Sequence, residues 1–113
     1  MPFFLPAHVE RVTATAYCLR GQTASSAYAR EGTVAVDQRY VGLGSRLRVI
    51  FSPAVADAQV LLSFFERFRK KSFRAEDTGS DIVGRRIDVW MPRCSDALAF
   101  GRRLAFVVVE PAR

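Results

Sequence analysis

The protein has 113 residues, a formal net charge of +6 and a single histidine. Half of its residues are hydrophobic and 25% are charged, which excludes a disordered chain and is typical of one globular domain. Its apolar runs are too short to cross a bilayer. The positive charge comes almost entirely from arginine and suits an anionic partner, but charge alone does not distinguish nucleic acid, phospholipid and carboxylate-rich polymer.

The first six residues are apolar, but they include two prolines and no basic residue, so they do not form a recognisable signal peptide. Beyond them, β-branched and aromatic residues at alternate positions predict a mainly β domain. The predicted strands are residues 12–17, 34–37, 46–51, 73–77, 86–91 and 104–109. Small and polar residues predict a loop over residues 21–32.

Two segments have a helical pattern. In residues 53–71, apolar side chains recur at helical spacing beside basic ones, which predicts an inserted amphipathic helix around 56–70. This helix either docks on the rest of the domain, which we favour, or contacts a membrane surface or an anionic polymer. Near the end, Ser95 is expected to cap a short helix over residues 96–100, with Asp96 in its first turn and Gly101 as its stop.

Cys18 and Cys94 are the two cysteines of the chain. Together with His8 they supply too few ligands for a zinc site, so no metal is expected. They are either two buried thiols or one disulfide that closes most of the chain.

The chain contains an internal repeat. Ala35, Val36 and Asp37 are followed by Gly44, Arg46, Leu47 and Val49, and Ala75, Glu76 and Asp77 are followed by Gly84, Arg86, Ile87 and Val89 at the same spacings. This pattern indicates one half-barrel unit used twice. A pseudo-two-fold arrangement of the copies would make Asp37 and Asp77 counterparts, which is a natural way to form a pair of carboxylates.

The run from Ala75 to Trp90, read with residues 34–37 and 43–45, resembles the 3D domain, a bacterial cell-wall family named for three aspartates. Here these aspartates match Asp37, Asp77 and Asp88. The resemblance extends from about residue 12 to 109, is interrupted by 53–71, and implies a single domain with a six-stranded double-psi β-barrel. Related barrels occur in lytic transglycosylases and in stationary-phase survival proteins.

The resemblance implies cleavage of peptidoglycan between N-acetylmuramic acid and N-acetylglucosamine, leaving 1,6-anhydro ends. Asp77 is then expected to act as general acid and base. Asp37 would be the neighbouring carboxylate that helps Asp77 to hold its proton, because like charges resist joint ionisation. Asp88 would complete the cluster. The residues expected to contact substrate are Tyr17, Thr78, Gly79 and Arg86.

No cofactor is implied, and the expected partner is the glycan strand, bound by a monomer outside the cytoplasm. We also predict that Cys18 and Cys94 are bridged. The chain departs from the usual family pattern at Ser80, Asp81 and Val83. These departures favour the alternative function, an expansin-like barrel that binds wall polysaccharide without cutting it. No nucleic-acid partner is expected, since no motif supports one.

Overall fold

The computed structural model describes residues 8–51 and 72–110, and the account below concerns these two ranges. They form six strands and one short helix. The strands are β1 (His8–Tyr17), β2 (Thr33–Val36), β3 (Arg46–Phe51), β4 (Ser72–Asp77), β5 (Arg86–Trp90) and β6 (Arg103–Glu110), and the helix is α1 (Cys94–Phe100).

The strands close into a barrel in the order β1-β5-β2-β4-β3-β6. Two pairs, β1 with β5 and β2 with β4, are parallel, and the other four pairs are antiparallel. The two copies of the sequence repeat supply β2 with β3 and β4 with β5. Since the central order is β5-β2-β4-β3, each copy occupies an equivalent place on either side of the β2-β4 contact.

Alternation along the strands fills the barrel with apolar side chains, as expected when one face of a sheet is buried. On β3, for example, Leu47, Val49 and Phe51 are buried while the residues between them are exposed. At one end of the barrel, the ring of Phe51 makes edge-to-face contacts with the rings of Phe73 and Phe100, with centroids 6.1 and 5.3 Å away. These contacts attach α1 to the core.

The closed six-stranded barrel confirms the predicted fold class, and all six predicted strands are present. The strand predicted at residue 12 begins earlier, at His8, because its first half pairs with β6 from His8↔Val109 onwards. The helix predicted around 56–70, within the insertion 53–71, lies outside the described residues.

The C-terminal helix is confirmed, but its predicted cap is wrong. Helix α1 begins at Cys94, one residue before Ser95, and extended Arg93 occupies the N-cap position without a side-chain hydrogen bond. Ser95 is therefore inside the first turn and cannot cap it. The helix begins where it is tied to the end of β1 by a disulfide between Cys94 and Cys18, whose Cα atoms are 5.1 Å apart. This bond confirms the predicted pairing.

Within the described ranges, no helix is long and apolar enough to span a membrane. The same ranges contain no group of three or more histidine, cysteine, aspartate or glutamate side chains arranged to hold a metal ion.

Candidate active site

A row of residues crosses the outer face of the barrel over four neighbouring strands. Thr15 on β1 is the register partner of Asp88 on β5, and Ala35 on β2 is the partner of both Asp88 and Asp77 on β4. Register partners in a regular pair point to the same face of a sheet. Asp77 follows a register shift, and its hydrogen bond from Tyr17, two residues after Thr15 on β1, places it on the same face as Thr15. Since Ile87 on β5 is buried in the core, Asp88 faces outward. The row therefore places one carboxyl group on each side of Ala35, whose side chain is small.

Asp88 is half-buried and has one hydrogen bond, in which Thr15 Oγ1 donates to its Oδ1 atom at 3.0 Å. The pKa of Asp88 is raised, mainly because burial disfavours the charged carboxylate. The Thr15 hydrogen bond and the positive charge of Arg86 oppose this shift, while the negative charge of Asp77 adds to it. Asp88 is therefore a carboxyl group adapted to hold a proton beside a second carboxylate.

Asp77, at the end of β4, accepts three hydrogen bonds. Its Oδ2 atom accepts from the Tyr17 hydroxyl at 3.0 Å, and its Oδ1 atom accepts from the backbone N–H groups of Thr78 at 2.9 Å and Ala24 at 3.1 Å. All three partners donate, an arrangement that suits an ionised carboxylate. Burial and the charge of Asp77 raise the pKa of Tyr17. The Tyr17 hydroxyl therefore stays protonated and can donate its hydrogen bond to Asp77.

Arg86 orders the other side of the row. Its Nη2 atom donates to Thr15 Oγ1 at 3.3 Å, and its Nη1 atom donates to the backbone carbonyl of Asp81 at 3.1 Å. Because arginine only donates, the Thr15 hydroxyl must send its own hydrogen elsewhere. The nearest acceptor is Asp88 Oδ1 at 3.0 Å, against 3.5 Å for the carbonyl of Ile87. The result is a chain of donors from Arg86 through Thr15 to Asp88.

Asp37 has different partners from the other two aspartates. It makes an ion pair with Arg39, in which Nη2 and Oδ2 are 2.6 Å apart, and it accepts a hydrogen bond from the backbone of Gly84 at 2.8 Å. Arg39, and then Gly84, hold the pKa of Asp37 well below its usual range. Its described contacts do not include Asp77 or Asp88. The structure thus groups Asp77 with Asp88.

The remaining predicted residues have defined places. Thr78 contributes its backbone N–H to Asp77. A side chain at Gly79 would come within 3.1 Å of Ile82 Cγ1, so packing against Ile82 is one reason for this glycine. Trp90, which is not among the predicted site residues, is buried, and its Nε1 atom donates to the carbonyl of Leu19 at 2.8 Å.

The sequence patterns did not predict two residues that contribute to the site, Thr15 and Ala24. The polar position of Thr15 within an alternating strand, two residues before Tyr17, is a usable signal for an outward-facing residue. Ala24 acts through its backbone, so its side chain carries no signal. Its loop reaches Asp77 because the adjacent Ser25 N–H also bonds the carbonyl of Glu76 at 2.9 Å.

The sequence profile of the 3D domain matches residues 32–109. The chain belongs to the 3D domain family. No curated protein sequence matches it significantly.

Solved structures of MltA from E. coli are similar to this 3D domain in fold. One of them, with bound chitohexaose, has a TM-score of 0.56 and 17% identity, covering 84% of this chain and 29% of that chain. Another has a TM-score of 0.54 and 16% identity, covering 83% of this chain and 28% of that chain. The chain thus spans less than a third of MltA, and at these identities the likeness shows the fold.

Proposed function

We propose that this 3D domain is a lytic transglycosylase, which cleaves the β-1,4 bond between N-acetylmuramic acid and N-acetylglucosamine in peptidoglycan. The observation that carries the proposal is Asp88, a half-buried carboxyl group with a raised pKa, which lies beside the Asp77 carboxyl group on the outer face of the barrel. The fold likeness to E. coli MltA, which binds an oligosaccharide in one of its structures, supports it.

In this mechanism protonated Asp88 donates its proton to the glycosidic oxygen, and the bond from that oxygen to C1 of the muramic acid breaks. The C6 hydroxyl of the same sugar attacks C1 and closes the 1,6-anhydro ring. The Asp88 carboxylate then accepts the hydroxyl proton, which restores its starting state. The sequence of steps needs neither a water nucleophile nor a covalent bond to the protein.

Asp77 has the complementary role. Three hydrogen-bond donors, from Tyr17, Thr78 and Ala24, hold its carboxyl group in place. In the proposed mechanism its carboxylate lies near the sugar ring, where positive charge develops in the transition state. The same charge helps to raise the pKa of Asp88. The proposal therefore assigns proton transfer to Asp88, and not to Asp77 as expected from the sequence, and it assigns the supporting charge to Asp77 in place of Asp37.

Asp88→Asn tests the proposal because asparagine keeps the shape of the side chain but cannot transfer the proton. We expect the rate of 1,6-anhydro-muropeptide formation from purified sacculi, measured by mass spectrometry, to fall by roughly 10²–10⁴-fold. Asp81→Asn is the matched control, since Asp81 is exposed and engages the site only through its backbone carbonyl. Normal anhydro-product formation by Asp88→Asn would refute the assignment.

Asp77→Asn distinguishes the roles of Asp77 and Asp88 through the pH–rate profile. Removing the charge of Asp77 lowers the pKa of Asp88, so Asp88 loses its proton at a lower pH. The alkaline limb of the profile should therefore move to lower pH, in addition to a fall in the maximal rate. A reduced rate with an unmoved alkaline limb would show that Asp77 does not act on the titration of the proton donor.

The second candidate function is a barrel that binds wall polymer without cutting it. The net charge of +6 favours it, because a cationic surface attracts acidic polymers whether or not they are cleaved. The same product analysis distinguishes the two. Anhydro ends support the transglycosylase, reducing ends support a hydrolase, and intact glycan that co-sediments with the protein supports the binder.

A further inference from the structure

Two arginines face each other on the outer surface of the barrel, on strands β3 and β4. Arg46 on β3 and Arg74 on β4 are direct register partners in an antiparallel pair, and both side chains are exposed. Like charges placed directly opposite each other across two strands are destabilising. Neither side chain has an ion pair or a hydrogen bond with the described residues. Within residues 8–51 and 72–110, the pair therefore lacks a counterion.

The nearby acidic groups are mostly engaged elsewhere. Glu110, the register partner of Arg46 on the β6 side, pairs with Arg48 at 3.5 Å. Glu76 lies buried on β4 and pairs with Arg30 at 2.7 Å. In the described part of the chain, Glu31 is the remaining acidic neighbour, and its single negative charge is smaller than the combined positive charge of Arg46 and Arg74. A cationic surplus is left at this position.

The surplus lies in a concavity of about 190 Å³, large enough for a small oxyanion. Its lining comprises Arg30, Glu31, Gly32, Arg46, Ser72, Phe73 and Arg74. Guanidinium groups bind carboxylates and phosphates through paired, directional hydrogen bonds, and two of them on facing strands can converge on one anion. An anion bound between the two guanidinium groups would offset their mutual repulsion.

The concavity is close to the carboxylate row. Arg74 precedes Asp77 by three residues on the same strand, which corresponds to roughly 10 Å along it. A substituent on a glycan bound over Asp77 and Asp88 would reach Arg74 if it extended by roughly this length along β4. In peptidoglycan, the muramic acid substituents are peptides with free carboxylates.

We propose that Arg46 and Arg74 form an anion-binding site for a peptide carboxylate carried by the glycan. This inference rests on the proposed peptidoglycan substrate, but it concerns binding and not bond cleavage. The site would select sugar chains that carry acidic peptides over neutral chains such as chitohexaose.

The test compares the affinity of two proteins for a purified disaccharide-peptide with free carboxylates, both in the Asp88→Asn background so that the probe is not consumed. Arg46→Gln with Arg74→Gln should weaken binding by about tenfold at low salt, because charge-assisted hydrogen bonds to the carboxylate are lost. The loss should shrink as salt rises to ~0.5 M, where exposed charges are screened. Affinity for chitohexaose should stay the same.

The control removes two charges from other exposed arginines that have no described side-chain contact, by Arg11→Gln with Arg102→Gln. Its affinity should match that of the parent protein. Equal affinities in the test and control variants would overturn the proposal, as would an undiminished affinity for the same probe with its carboxylates amidated. Inorganic phosphate is the third probe, and dependence of phosphate binding alone on Arg46 and Arg74 would show the carboxylate assignment to be wrong.

Folding is checked by thermal unfolding of each variant, and relief of the charge repulsion should leave the midpoint of the double variant unchanged or higher. If the double variant does not fold, Arg74→Gln alone carries the test against Arg102→Gln, with a smaller loss of affinity expected. The result is independent of catalysis. Absence of anhydro products from the unsubstituted protein would refute the transglycosylase while leaving a measured carboxylate dependence intact.

Discussion

The orientation of one hydroxyl determines which oxygen of Asp88 is available to a substrate. Arg86 occupies a lone pair of Thr15 Oγ1, so the Thr15 hydrogen points to Asp88 Oδ1. The proton that the proposed mechanism requires on Asp88 is then best carried on Oδ2, which has no hydrogen-bond partner among the described residues. Without this chain of donors the two oxygens of the Asp88 carboxyl group would be equivalent. The hydrogen bond from Thr15 distinguishes them, so the proposed acid has a defined proton-carrying oxygen.

Thr15→Val tests this role, because valine keeps the shape of threonine and removes the hydroxyl. The Thr15 hydrogen bond lowers the pKa of Asp88, so its loss should raise that pKa and move the alkaline limb of the pH–rate profile to higher pH. The maximal rate should fall by roughly tenfold or more, because the acid is no longer oriented.

Thr15→Ser is the matched control, since it retains the hydroxyl and should restore both the rate and the position of the limb. A Thr15→Val profile identical to that of the unsubstituted protein would show that Thr15 only fills space. An equal loss of rate in the serine variant, which keeps the hydroxyl, and in the valine variant, which lacks it, would show that the hydroxyl is not the cause of the loss.

At the scale of elements, alternation was enough to predict the strands, but not how they align. The repeat made Asp37 and Asp77 equivalent in sequence, forty residues apart. In the barrel, however, β2 and β4 are staggered, and a register shift between Val34 and Ala35 places Ala35 opposite Asp77. Register depends on long-range pairing and bulges, which local sequence does not encode. The carboxylate partner of Asp77 is consequently on β5.

The choice between the three aspartates shows the same limit. Asp37 is followed by Arg39, and this local pair was present in the sequence, but the hydrogen bond from Gly84 to Asp37 joins residues 47 positions apart. The partial burial of Asp88 likewise depends on long-range pairing, which places β1 and β2 on either side of β5. Composition and motif spacing could identify the candidate residues, whereas the environment that separates a proton donor from a structural anion is a property of the folded chain.

Helix α1 ends just before Gly101, whose backbone conformation is unusual. Gly101 has φ 66° and ψ −143°, a conformation that residues with a side chain rarely adopt. Gly101→Ala should therefore lower the free energy of unfolding by about 1–3 kcal/mol through backbone strain, although no atom lies within 4 Å of the added Cβ. Chemical denaturation measures the change.

Gly42→Ala is the control for Gly101→Ala. The backbone of Gly42 does not adopt a positive φ, and its added Cβ would meet Ser45 Oγ at an ordinary contact distance of 3.8 Å. Its effect should stay within about 0.5 kcal/mol. Equal effects of the two substitutions would mean that the positive φ at residue 101 does not strain an alanine placed there.

At the scale of the whole molecule, the barrel is small and one covalent bond joins distant parts of it. The Cys18–Cys94 disulfide links residues 76 positions apart and attaches α1 to the end of β1. The same end of β1 is also held without it, since Met91 N–H bonds the carbonyl of Tyr17 at 2.8 Å and Trp90 Nε1 bonds the carbonyl of Leu19 at 2.8 Å. The site residue Tyr17 is thus positioned by the sheet, and the disulfide mainly restricts the unfolded chain.

Cys18→Ser with Cys94→Ser should therefore separate stability from activity. Loop-closure entropy predicts a loss of about 4 kcal/mol, or a fall of roughly 15 °C in the thermal midpoint for a domain of this size. Near 20 °C, well below the midpoint, the rate of anhydro-product formation should stay within about twofold of the unsubstituted protein, because the hydrogen bonds that hold β1 to β5 remain. A reducing agent should lower the midpoint of the unsubstituted protein to that of the variant and leave the variant unaffected. An equal midpoint for the two proteins would show that the disulfide does not stabilise the fold. A large loss of activity at 20 °C in a folded variant would show that the disulfide, and not the sheet, holds Tyr17 against Asp77.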